Sequence, residues 1–143
     1  MTNKIEYKIQ KFNTEDNLKI GLNVVEWSIE NNLIQQGFTA LEETIRTYVC
    51  NETDRNNRER IAKIALMIKS EAITEKNLST DVKGKVKRIA DRLDPEIAKL
   101  SYQVSQKRNS INHFEFSDDS NDYNSLKRDL KKYYKEFKKI IEI

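Results

Sequence analysis

Apolar residues recur every three or four positions along most of the chain, which is the signature of amphipathic helices. Leu18, Leu22, Val25 and Ile29 form the first stripe, and Val24 and Trp27 widen it. Trp27 reads as core. Thr14-Glu15-Asp16 ahead of the stripe suits a helix start, since Thr caps and acids favour the first turn. Asn31-Asn32 interrupts the pattern. Ile34, Phe38, Leu41, Ile45, Tyr48 and Val49 then line a second helix over about 33–50. So short a connection predicts an antiparallel helical hairpin. Ile61, Ile64, Ala65 and Ile68 mark a third helix near 55–71, followed by a polar loop at 74–80 and a short basic helix from Asp81 to Leu93. Asp94-Pro95 has the form of a cap and a first helical turn, and leads into Ile97, Leu100, Tyr102 and Val104. After an acidic, turn-rich loop at 117–122, Leu126, Leu130, Tyr133, Phe137, Ile140 and Ile141 define a last helix over about 123–142. Residues 1–13 are a polar lead-in, and 14–143 read as one all-α domain.

Composition supports that class. The 143 residues include one proline and three glycines, too few for the many tight turns of a sandwich or barrel. Charged residues make up 34% and hydrophobic ones 37%, a polar balance in which part of an apolar face is often covered by a second copy. The net charge of +3 and pI near 8.9 suit a nucleic-acid partner without requiring one. Cys50 is the single cysteine, so no intramolecular disulfide forms and a reducing, cytoplasmic setting is expected. The first residues carry no apolar signal core, and the longest apolar run, Ile64 to Met67 and Ile68, is too short to span a bilayer. No membrane association is expected.

The candidate chemistry lies in Lys107-Arg108-Asn109-Ser110-Ile111-Asn112-His113-Phe114, which holds the chain's one histidine. A histidine near its free pKa of ~6.5 exchanges protons at neutral pH. A guanidinium holds a phosphate through paired hydrogen bonds and neutralises charge growing on it. Asparagine amides orient ribose or phosphate oxygens. Together these groups suit RNA cleavage by transfer to the 2′-hydroxyl, which needs no metal or other cofactor. On an ideal helix Asn109 and His113 share a stripe, and Arg108 and Asn112 share the next. Arg108 and His113 diverge by ~140°. They converge only through the reach of Arg, a local break in the helix, or pairing with a second copy. Spacing alone does not separate such a site from an ordinary helical Arg and His.

The surroundings are more specific. Arg-Asn-x-x-x-His followed by an aromatic resembles the signature of HEPN ribonucleases, in which Arg-x4–6-His is the catalytic motif. The stretch Val25 to Glu43 resembles the first helical hairpin of the CRISPR-associated CARF–HEPN nucleases, with Trp27, Gln35, Gln36, Thr39, Leu41 and Glu43 in the corresponding places. The resemblance covers roughly residues 18–140. It implies a HEPN-type helical bundle of about five helices and a metal-independent endoribonuclease of prokaryotic antiviral defence. Its substrate is expected to be single-stranded RNA, and its active form a homodimer with a composite site. Arg108, His113 and Asn109 are then the expected catalytic residues, with Asn112, Gln35 and Gln36 expected at the RNA. The family's CARF sensor has no counterpart in these residues, which leaves two expectations: a HEPN domain of a longer protein, with a CARF sensor domain or regulatory protein as partner, or a stand-alone form.

Two other readings compete. A HEPN toxin of a toxin–antitoxin pair fits the length, but those toxins usually carry a tyrosine two places after the histidine, where Glu115 stands here. A non-catalytic HEPN binding module would use the same helices as a scaffold. Glu42 and Glu43 read as solvated helix acids that could pair with a basic group near the site. Phe114 and Phe116 read as anchors rather than stacking groups. The lysine-rich face of the last helix reads as solvated.

Overall fold

In the computed structural model, residues 14–49, 55–69, 80–114 and 120–143 are described, and they are helical nearly throughout with no strand among them. The lead-in at 1–13, Cys50, Phe116 and residues 74–79 and 117–119 of the two expected loops lie outside these residues, as do the side chains of Asn112, His113 and Phe114. Six helices follow one another: α1 Thr14–Glu30, α2 Ile34–Val49, α3 Arg55–Lys69, α4 Thr80–Arg92, α5 Pro95–Phe114 and α6 Ser120–Ile140. These are the six segments marked by the apolar periodicity, with the break at Asp94-Pro95 where it was expected, whereas the resemblance implied about five. The Asp94 side chain accepts a hydrogen bond from the Glu96 amide at 2.9 Å, and proline takes the first helical position, where no amide hydrogen is needed.

The α1–α2 hairpin is formed as expected. Asn32 adopts a left-handed backbone (φ 60°), the Leu33 amide donates to the Ser28 carbonyl at 2.8 Å, and the Asn32 amide donates to Ile29 at 3.2 Å. This is a Schellman ending, with asparagine at the position glycine usually fills. The turn is tied to α6: the Tyr123 hydroxyl donates to the Asn32 carbonyl, and Lys127 Nζ donates to Asn32 Oδ1 at 2.6 Å.

Helix α2 is the centre of the bundle, touching α1, α3, α5 and α6. Its Phe38, Leu41 and Ile45 are fully buried, together with Leu100 and Val104 of α5 and Leu130 and Phe137 of α6. The Phe38 ring meets Tyr133 edge-on at 6.4 Å, and Tyr48 meets Phe137 at 5.8 Å. Gly37 lets α1, α2 and α6 approach closely. A Cβ there would lie 2.5 Å from Leu130 Cδ2 and 3.3 Å from Ser28 Cβ.

One aromatic assignment needs correction: Trp27 is 55% exposed rather than core. Tyr102 of α5 is likewise exposed, at 53%. Each lies about 200° around its helix from an inward-facing residue, Val25 and Leu100 respectively. Trp27 shares an outward, uncovered stripe with Ile20 and Val24, so what widened the apolar pattern of α1 is its solvent face.

Candidate active site

Helical register puts Gln35, Thr39, Glu42 and Arg46 on one stripe of α2, and Ser101, Ser105, Arg108 and Asn112 on one stripe of α5. The two helices pack against each other, and Glu42 is caught between them at 4% exposure. A buried carboxylate needs charged and hydrogen-bonding partners to offset lost hydration. Arg46 Nη2 lies 2.5 Å from Glu42 Oε1, and Arg108 Nη1 donates to the same oxygen at 2.9 Å. Ser105 Oγ donates to Oε2 at 3.4 Å. The expectation of a solvated Glu42 is therefore overturned, because α5 covers it. Its possible pairing with a basic group of the motif is what occurs. The signal was present in the sequence: Glu42 falls four positions after Phe38 and three before Ile45, inside the apolar stripe.

This arrangement orients Arg108 without closing it off. Its side chain is 41% exposed, and it has no second partner among the described residues. The guanidinium carries five N–H donors in a fixed fork, so one edge rests on Glu42 while the other faces outward. Two guanidinium charges share one carboxylate, which leaves the cluster with a net positive charge. That suits an incoming phosphate. Lys107, the preceding residue, is engaged with Asp129 of α6 at 3.1 Å and fixes α5 against α6. Near that contact the Tyr133 hydroxyl is pushed above its ordinary pKa by burial and by Asp129 and Glu136, with Lys107 opposing.

The other expected site residues divide. Asn109 is exposed on the face of α5 next to Arg108. His113 and Asn112 belong to the same unbroken helix, which continues through Phe114. No local break brings His113 toward Arg108, so their backbone directions diverge by the ~140° of a regular helix. Gln35 and Gln36 are exposed in the first turn of α2, and neither side chain bonds to Arg108. Gln35 lies on the Glu42 stripe but about 10 Å further along the axis, and Gln36 lies on the neighbouring stripe. Thr39 spends its hydroxyl on the Gln35 carbonyl at 3.1 Å.

Beside Arg108 a cleft of about 200 Å³ opens between α2, α3 and α5. Sequence reasoning missed it, because it is made by three helices and visible in none. Among the described residues no group of three His, Cys, Asp or Glu side chains is placed to hold a metal ion, and no helix is long and apolar enough to cross a membrane. No protein-family model, curated protein or solved structure matches the chain.

Proposed function

We propose that this chain is a metal-independent endoribonuclease of the HEPN type, or the catalytic domain of one, acting on single-stranded RNA in prokaryotic antiviral defence. The observation that carries the reading is the Glu42–Arg108 contact. It joins the two stretches that resemble the CARF–HEPN nucleases, 66 positions apart in sequence, and holds a guanidinium with one edge open beside Asn109.

In this reading Arg108 grips the non-bridging oxygens of the scissile phosphate and neutralises the charge that grows there. The 2′-hydroxyl attacks phosphorus, the bond to the 5′-oxygen breaks, and a 2′,3′-cyclic phosphate and a 5′-hydroxyl result. His113 moves a proton, and Asn109 and Asn112 orient the ribose and phosphate. One histidine per chain is a thin set for removing one proton and delivering another. A two-fold dimer with its motifs facing each other doubles the set. It also answers the divergence of Arg108 and His113 on a straight helix. Incubating the chain with fluorescent RNA in EDTA, and mapping the product ends, tests the proposal.

A specific observation also favours the rival binding module: Arg108 cross-links α2 and α5, a role that needs no catalysis. In that case Arg108→Ala loses stability and there is no cleavage to lose.

A further inference from the structure

Building on the ribonuclease reading, we propose that the cleft beside Arg108 binds one nucleobase of the RNA, with its phosphate, next to the scissile bond. Its floor is apolar, with Leu66 and Ala98 almost fully buried. Its rim carries Tyr102, Gln106 and Asn109 from α5 and Lys63 from α3. This is the composition of a nucleotide pocket: an apolar slot for a planar ring, amides for its edge, an aromatic face and cations for the phosphate. The volume of about 200 Å³ falls below the ~300–1,000 Å³ of sites for drug-sized ligands, so it takes a single ring system rather than a dinucleotide.

The rim is organised rather than loose. Gln106 Nε2 donates to the Tyr102 hydroxyl at 2.8 Å, which steadies both side chains. Tyr102, Gln106 and Asn109 fall on one stripe of α5, and the next position of that register is His113. Asn109 and His113 are separated by about 6 Å along the axis, within reach of one nucleotide. Arg46, which also lines the cleft, shares Glu42 with Arg108, so the cleft and the phosphate-gripping guanidinium are joined through one carboxylate. Lys63 is exposed at the mouth, where it meets a phosphate as a point charge. Whichever base sits here sets the sequence preference of cleavage.

The test uses the full chain and a fluorescein-labelled single-stranded RNA with 2′-O-methyl groups, which binds without being cut. Tyr102 and Lys63 are exposed, so Tyr102→Ala and Lys63→Ala should melt with the wild type. Anisotropy should show about tenfold weaker binding for Tyr102→Ala, the order expected for a lost base stack. Lys63→Ala should reduce the salt dependence by about one phosphate contact. On cleavable RNAs Tyr102→Ala should flatten the preference at one position and leave product chemistry unchanged. If wild type cleaves RNA while both variants bind and discriminate as it does, the cleft assignment is overturned and the ribonuclease reading survives. If wild type does not cleave, the ribonuclease reading fails, and anisotropy still reports whether the cleft holds RNA. If the variants dissociate a dimer without weakening binding per chain, the cleft seats a second copy and the proposal is overturned.

Discussion

Replacing Glu42 by glutamine keeps the side chain's shape and removes its charge, leaving two guanidinium groups without their shared carboxylate. Hydrogen bonds to charged groups contribute ~1.5–3 kcal/mol each. The Arg46 contact is well covered, with the arginine side chain 18% exposed, and takes the lower part of that range. The Arg108 contact is 41% exposed and screened by solvent, which reduces it to about 0.5–1 kcal/mol. Glutamine retains one acceptor and is cheaper to bury, so the net loss is about 2 kcal/mol. For a domain of this size that lowers Tm by roughly 8 °C. Thermal melts and urea titrations followed by circular dichroism measure it. Arg108→Gln, which leaves Arg46 on Glu42, should cost about 1 kcal/mol or less. The double variant should cost less than the two singles together, because they remove the same bond. RNA cleavage by Glu42→Gln should fall well beyond its loss of folded protein, since the guanidinium is no longer aimed. A Tm within about 1 °C of wild type would refute the reasoning and return Glu42 to the solvated class.

Other outcomes follow from the packing and the charges. Gly37→Ala should destabilise by about 1–3 kcal/mol in urea titration, because its methyl would lie 2.5 Å from the fully buried Leu130. The Tyr134 hydroxyl is pushed up to about 12 by burial, by the Glu26 charge and by its 3.2 Å hydrogen bond to Glu26, with Glu30 adding to the rise. A raised folded pKa gives stability that is full below the unfolded value of 10 and is lost as pH climbs to about 12. Tyr134→Phe should therefore show a shallower fall in Tm across that window, and identical slopes would contradict the assignment. Sedimentation should show a dimer at micromolar concentration. Cleavage that stays linear in enzyme down to nanomolar, by a chain that remains monomeric with RNA, would contradict the composite site.

The helices were legible because their apolar residues keep a period near 3.6, and the Asp94-Pro95 boundary was legible because capping chemistry is local. The Asn31-Asn32 break appears as a Schellman turn for the same reason. Trp27 was misread as core because a large aromatic next to a stripe widens the apolar pattern whichever side it faces. Which side it faces depends on the neighbours it meets, and no residue of α1 encodes that alone. The Arg108 motif was visible as a string, and the place of Glu42 inside an apolar stripe signalled its burial, but that the two meet was not visible. Glu42 lies in another helix, and only the packing of α5 on α2 turns an ordinary helix acid into a buried clamp. The cleft beside it has the same origin, since Lys63, Ala98 and Arg46 share no local pattern.

The central claim is that Arg108 and His113 cleave RNA through its own 2′-hydroxyl. It is tested most directly by incubating wild type, Arg108→Ala and His113→Ala with a labelled single-stranded RNA in EDTA, with melting curves recorded in parallel. Wild type should cleave to 2′,3′-cyclic phosphate ends, and neither variant should cleave while both remain folded. Undiminished cleavage by a folded variant, a strict need for Mg²⁺ or Mn²⁺, or cutting of DNA that lacks the 2′-hydroxyl would contradict it.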